Sequence, residues 1–343
     1  MTGGLPGAAR RLFLRQRIQR APAAASPDDP LFSVLDCGTS VIKALVARAG
    51  DEGVELLGAA SEPASAGELD ERATVEAAER ALVAAEDAAG VLPRRVVIGL
   101  SGKDVSAGEA VAIPKGERDM RSARRRANGL AEALDLEVVV IPLTDAIGRA
   151  LAGGRDVPAI VVDAGARGTT VVLAGVAGTE ATAWIPLGGD ALEQRLRELL
   201  GVDAAGARDA VMAYSAGAAR HSGAGASAGW TITQLAQHHA DVWRDAFEMA
   251  CAGLRTSGVL PYHMLFCGGS AALPDLSRSL SGGTWHATLP FEKSPVVRVL
   301  DASDVPYARE FEGSRLGPEF VPAVCLAVAH GRRMAVPPSR ARG

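Results

Sequence analysis

Apolar residues fall along the chain in short runs whose spacing switches between strand-like and helix-like, and the switches mark out the elements. Between residues 32 and 60 two apolar runs, Phe32 to Asp36 and Val41 to Ala47, flank the glycine-bearing turn Cys37-Gly38-Thr39, and a third begins after Gly53. Short β-rich runs broken by turn residues predict a strand–turn–strand meander. From Asp70 to Gly90 the apolar positions Val75, Ala78, Leu82, Ala85 and Ala89 recur at helical spacing, with Gly90 placed to end the helix. A strand follows over residues 94–102. Residues 103–120 read as a short strand and loop, 121–135 as a helix that starts basic and ends acidic, 137–142 as a strand, and 144–154 as a small helix.

The second half repeats the opening. Residues 159–175 are again strand, Asp-x-Gly turn and strand, followed by a third strand ending in Gly188-Gly189-Asp190 and a helix over 191–202. Repetition of this kind implies duplication of one architectural unit. Residues 204–229, rich in Ala, Gly and Ser, predict a short helix and a mobile loop. A long helix from about Thr231 to Arg255, a strand from His263 and a helix from near Pro274 complete the pattern.

Length and composition agree with two α/β lobes. At 343 residues and 48% hydrophobic the chain has a sizeable core to bury, and with aromatics at only 4% that packing must rely on small residues between helix and sheet. A net charge of −4 supplies no global attraction to nucleic acid, and no nucleic-acid partner is expected. Cys37, Cys251, Cys267 and Cys325 are scattered without metal-ligand or disulfide spacing, which points to a reducing cytoplasm. No apolar run reaches the roughly 18 residues that predict a membrane span. His238 and His239, with no partner at ligand spacing, read as ordinary surface or boundary residues.

The candidate chemistry lies in the turns. Asp36-Cys37-Gly38-Thr39 and Asp163-Ala164-Gly165 each sit between apolar strands, where glycine lets backbone N–H groups approach phosphate and the aspartates can hold hydrated Mg²⁺. One Asp-x-Gly turn carries little weight, because such turns occur in any hairpin. Two in matching contexts are rarer. A third glycine element, Cys267-Gly268-Gly269-Ser270, follows a strand and suits a flat ligand lying against backbone.

The order of these elements resembles the actin, sugar-kinase and heat-shock-chaperone superfamily. Residues 34–46 resemble its first phosphate loop, 142–154 its connecting helix, 160–173 its second phosphate loop and 266–276 its adenosine motif. Residues 96–105, 183–196 and 320–329 look like the cell-division family FtsA, while residues 36–43 and 163–170 look equally like the pilus family PilM. The resemblance implies an α/β, actin-like (ribonuclease H-like, duplicated) two-lobe fold around a nucleotide cleft. It divides the chain into a basic tail and linker at 1–30, a first lobe at 31–158 with a reduced insertion at about 103–135, a second lobe at 159–320, and a return to the first lobe with a basic tail at 321–343.

It further implies ATP and Mg²⁺ as cofactors. Asp36 and Asp163 would sit at the metal, and Gly38, Thr39, Ser40, Gly165, Gly168 and Thr169 would line the phosphates. Gly268, Gly269 and Ser270 would border the adenosine, with Gly188 beside them. Lys43 either reaches the phosphates or points from its strand into solvent. Where many relatives place a water-orienting acid or amide just before the proline of the connecting helix, this chain has Ile141, so turnover is expected to be weak at most. Asp145, one turn on, is the remaining catalytic candidate, although an aspartate at a helix N-terminus also serves as a cap or dipole partner. Ala213 and Ser215 stand where relatives contact the base or ribose, which predicts reduced affinity.

The family reading is a cytoplasmic scaffold, peripheral at the inner face of the cell membrane, that assembles into filaments and engages a tubulin-like division protein. The alternatives are a PilM-like pilus-assembly adaptor and a sugar-kinase-type phosphotransferase. The short stretch 103–135 argues against the last, which needs a substrate-binding insertion. Membrane attachment would run through the basic ends, Arg10, Arg11, Arg15, Arg17 and Arg20 with Arg332, Arg333, Arg340 and Arg342, on an anionic surface.

Overall fold

The computed structural model describes residues 30–64, 71–100, 136–152, 157–217, 226–254 and 258–335. The two tails, the insertion expected at 103–135 and residues 218–225, within the stretch expected to form a mobile loop, lie outside the described residues.

The first lobe begins with the predicted meander: β1 (Leu31–Cys37), β2 (Val41–Gly50) and β3 (Gly53–Pro63) are antiparallel neighbours. Helix α1 (Glu71–Ala89) then returns the chain to β4 (Arg95–Leu100) and β5 (Glu137–Pro142), which run parallel to β1. The second lobe does the same with β6 (Ala159–Ala164), β7 (Thr169–Gly175) and β8 (Gly178–Ile185), followed by helices α3 (Gly189–Leu200), α4 (Ala204–Ser215) and α5 (Ala226–Gly253) and strand β9 (His263–Cys267). Helix α6 (Pro274–Ser281) leads to the edge strand β10 (Val296–Val299). Sheet orders β3-β2-β1-β4-β5 and β8-β7-β6-β9-β10 are therefore the same order twice. The duplication reaches the register. Asp36 faces Lys43 as Asp163 faces Thr170, and a bulge interrupts each hairpin at the matching point, Val46/Ala47 and Leu173/Ala174.

Two helices occupy the space between the sheets and exchange lobes. Helix α2 (Leu143–Ala152) leaves β5 and packs on β7 and β8 of the second sheet, while α7 (Val321–Ala335) follows the second lobe and packs on β1 to β4 of the first. One continuous apolar core runs through both, from Phe32, Val34 and Leu45 through Ile147, Leu151 and Leu326 to Val161 and Val172. Because α7 is covered on both faces it is apolar nearly all round, with Val321 and Ala323 to Val328 all buried.

The outer layers differ between the lobes. On the first, α1 lays Ala77, Ala78, Ala81, Leu82 and Ala85 on the sheet, and the backbones come so close that a Cβ at Gly58 would sit 2.3 Å from the Ala85 carbonyl oxygen. This is the small-residue packing that the composition predicts. Lacking bulk, that face depends on fit, since an added methyl group has no room to enter. On the second lobe the few aromatics gather under the sheet: Trp243 stacks on Phe247 at 5.3 Å and meets Phe266 edge-on at 5.7 Å.

Two boundaries and one exposure differ from the sequence reading. The long helix begins at Ala226, about a turn earlier than expected. The chain rejoins the first lobe before residue 321, because β11 (Ala308–Arg309) pairs parallel with β3 and shields an edge that would otherwise offer unpaired N–H and C=O groups. Residue His239 is 4% exposed, buried on α5 rather than at the surface or its boundary.

Candidate functional site

The two hairpin turns meet at the carboxyl ends of β1 and β6, where the phosphate loops were expected. Asp36, 4% exposed, accepts a hydrogen bond at 3.3 Å from the ammonium of Lys43, itself 9% exposed. Lys43 therefore does not point into solvent. Its position on β2 opposite Asp36 turns it inward, and its protonated form is held by Asp36 first, then Asp163 and, more weakly, Glu319 against the cost of burial. Asp163 is half-buried. Burial, and secondarily the charge of Asp36, push its carboxyl up to about 7, with Lys43 opposing. The matching partner of Asp163 in the duplicate is Thr170, so among the described residues Lys43 is the one buried lysine between the two acids.

The glycine elements assemble around Asp163. Gly268 adopts φ +94, and a Cβ there would lie 2.4 Å from Asp163 Oδ1 and 2.6 Å from the Ala164 carbonyl oxygen. A Cβ at Gly188 would strike the carbonyl oxygens of Gly165 and Ala166 at 2.3 and 2.4 Å. Glycine is thus required at both positions by backbone against backbone, where a side chain has no way to yield. The Ser270 hydroxyl donates to the Gly165 carbonyl at 2.9 Å and accepts from the Gly189 N–H at 3.1 Å, tying the expected adenosine element to the second loop. Several loop amides are already paired: Gly165 N–H donates to Gly168 C=O at 3.0 Å, and Asp190 N–H to Ala166 C=O at 2.9 Å.

Not every expected residue faces the cleft. The Thr169 hydroxyl, fully buried, donates to the Leu187 carbonyl at 3.0 Å and accepts from Trp243 Nε1 at 2.8 Å. Its side chain fixes the loop to the aromatic core and is not free to bind phosphate. Thr39 is exposed at the tip of the first turn and Gly269 at the tip of the third element. Asp145 lies half-buried in the first turn of α2, and no described contact joins it to Asp36, Lys43 or Asp163. Ile141 is 0% exposed and belongs to the inter-sheet core, where it offers nothing to a water molecule.

Two residues beyond the predicted set reach the site. Asp190, second residue of α3, accepts a hydrogen bond at 3.0 Å from the Ser40 hydroxyl across the lobes. Glu319 lies in a short 3-10 helix whose Pro318 carbonyl accepts the Gly268 N–H at 2.9 Å. Asp190 was visible as the end of the Gly-Gly-Asp run, but its partner is 150 residues away. Nothing local to Glu319 signals the cleft.

Two carboxylates on facing turns, with glycine backbone around them, suit a hard cation that keeps several water ligands. Among the described residues no cluster of three or more His, Cys, Asp or Glu side chains is spaced to enclose a metal, so such a cation would be shared with a ligand.

No protein-family model matches the sequence, and no curated protein matches it. Solved structures match over nearly the whole chain. The ethanolamine utilization protein EutJ from Carboxydothermus hydrogenoformans is 16% identical, with 92% of this chain and 98% of that one covered, at a TM-score of 0.58. A chain of the PilM–PilN type IV pilus biogenesis complex is 18% identical, with 92% of this chain and 100% of that one covered, at a TM-score of 0.62. At these identities the matches establish the architecture, an actin-like two-lobe α/β fold.

Proposed function

We propose that this chain is an ATP-binding scaffold that uses the nucleotide to set the relation of its lobes, works at a membrane surface and acts through a protein partner. The observation that carries the reading is the pair of duplicated Asp-x-Gly hairpins that place Asp36 and Asp163 about Lys43. Lys43, Gly38, Ser40, Gly165 and Gly168 would face the phosphates, with Gly188, Gly268, Gly269 and Ser270 against the nucleoside. Asp36 and Asp163 would hold Mg²⁺, which supplies neutralising charge for a polyphosphate and relieves the strain on the Asp163 carboxylate. With Ile141 in the core and Asp145 apart from the acids, turnover is slow.

ATP with Mg²⁺ should raise the melting temperature, because a ligand held only by the folded state stabilises it, by about 2.7 kcal/mol at a hundredfold excess over Kd. Asp163→Ala should abolish the shift while leaving the protein folded. An unchanged melting temperature in the wild type at millimolar ATP removes the nucleotide reading.

The match to a chain of the PilM–PilN complex supports an adaptor that takes a partner protein, and the segments resembling FtsA support filaments and a tubulin-like division protein. Co-sedimentation with a tubulin-like division protein, and pelleting of the chain alone with ATP, separate the two: the division role requires at least one.

Membrane attachment through the basic ends is supported by where the described chain begins and ends. Phe32 near the start and His330 near the end are in ring contact at 4.8 Å, so both tails leave the same region of the first lobe. Each basic residue near an anionic surface adds about 1 kcal/mol, weakened as salt screens it. The full chain should co-sediment with anionic but not neutral vesicles at low salt, and a chain starting at Asp28 should lose most of that binding. Equal pelleting of the two rules the N-terminal anchor out.

A further inference from the structure

The Ser40–Asp190 hydrogen bond joins the two halves of the cleft by their phosphate loops. Ser40 lies in the turn between β1 and β2, its carbonyl fixed by the Ala64 N–H at 2.9 Å. Asp190 sits in the first turn of α3, its own N–H committed to the Ala166 carbonyl of the second loop. Neither backbone is free to drift, so the 3.0 Å contact between their side chains spans the two lobes directly. Gly188 has no side-chain cap, and the Asp190 carboxylate, rather than capping its own helix, turns to the opposite lobe.

We propose that Asp190 is the residue by which this cleft distinguishes a nucleoside triphosphate from a diphosphate: its carboxylate holds the Ser40 hydroxyl that a terminal phosphate would claim, and the lobes stay closed on the protein's own anion until that phosphate displaces it. The inference rests on the nucleotide reading above. A serine hydroxyl has one proton to donate, so the carboxylate and a phosphate oxygen compete for it. Two anions sharing one donor also repel, and at hydrogen-bond range in a partly buried cleft that repulsion is not screened away as it is in bulk water. The third carboxylate near Lys43, Glu319, adds to the negative field that a third phosphate must enter. The phosphate gripped by both loops therefore exchanges with Asp190, whereas a nucleotide that stops short of Ser40 leaves the contact intact. Binding of the triphosphate opens the loop-to-loop contact, and its loss restores it.

The test uses the full chain, Asp190→Ala and Asp190→Asn, the last keeping an acceptor oxygen for Ser40 without the charge. In hydrogen exchange without nucleotide, Asp190→Ala should speed exchange at the Ala64 and Asp190 amides and their neighbours, while Asp190→Asn should stay close to wild type. In calorimetry with Mg²⁺, both variants should bind ATP about tenfold more tightly, the scale of losing one charge-assisted hydrogen bond that competes with the ligand, and bind ADP within about twofold of wild type. Tightening of both nucleotides by the same factor, or selective loss of ATP, overturns the proposal, the latter by making Asp190 a ligand. Unchanged exchange in Asp190→Ala overturns the contact itself even where ATP binds. Absence of binding by all three proteins instead removes the nucleotide reading, and the specificity role with it.

Discussion

Lys43→Met should be among the most destabilising single substitutions in this chain at neutral pH. The lysine is 9% exposed and its ammonium lies 3.3 Å from the Asp36 carboxylate, with Asp163 across the cleft from both. Methionine fills much of the volume but leaves two acids facing each other without a counter-charge. Removing one partner of a buried ion pair costs about 3–5 kcal/mol, chiefly because the remaining charge is stranded. For a chain of 343 residues the melting temperature should fall by roughly 4–7 °C. Two further results distinguish this cause from simple misfit. Adding Asp36→Asn should recover most of the loss, and lowering the pH from 7.5 toward 5 should narrow the gap to wild type as Asp163, whose carboxyl is pushed up to about 7, takes up its proton. Calorimetric melting of the three proteins at both pH values is the measurement. A loss that neither the second substitution nor acid repairs would mean that Lys43 acts by packing alone.

Stability should also peak near pH 6.5 and decline by about 1.4 kcal/mol per unit toward pH 4, because two buried histidines and the half-buried Asp163 titrate there in opposed directions. His239 and His330 are 4% and 6% exposed, and each is pushed down to about 4, by burial first and then by neighbouring arginines, Arg195 for one and Arg95 and Arg333 for the other. The unfolded chain protonates both histidines below about 6.5 and the folded chain does not until about 4, so their contribution is present above 6.5 and lost as pH falls through that window. Asp163 runs the other way. Its folded value of about 7 exceeds the unfolded 3.8, so the folded state takes up the proton first and gains stability as pH falls. Between 6.5 and 4 the unfolded state binds two protons against one, which leaves a net one-proton slope. Asp163→Asn should steepen it to about 2.7 kcal/mol per unit, and His330→Leu should flatten it. Denaturant unfolding from pH 4 to 7.5 without Mg²⁺ or nucleotide reads these slopes. A wild-type slope that Asp163→Asn leaves unchanged would show that its carboxyl is not perturbed.

The pattern along the chain determined much of this protein. Apolar runs broken at Gly38 and Gly53 specify the meander, the Val75-to-Ala89 spacing specifies α1, and the second Asp-x-Gly turn at Asp163 declares the duplication. These are local signals: strand period, helix period and turn chemistry act within a few residues and survive in one dimension. The two acids, the glycines and Ser270 were legible for the same reason, since each belongs to a turn that follows a strand. Side-chain direction at the ends of strands was not. Whether Thr169 met phosphate or core depended on Trp243, which lies 74 residues on and on another element. Whether Lys43 pointed out or in depended on the acids that meet it, Asp163 and Glu319 from far along the chain as well as Asp36 beside it. The Ser40 hydroxyl belonged to Asp190 only because α2 and α7 exchange lobes and bring the two turns together. Hydrogen bonds form at about 3 Å, so a partner far along the chain is chosen by the packing of whole elements, and only the tertiary structure holds that information.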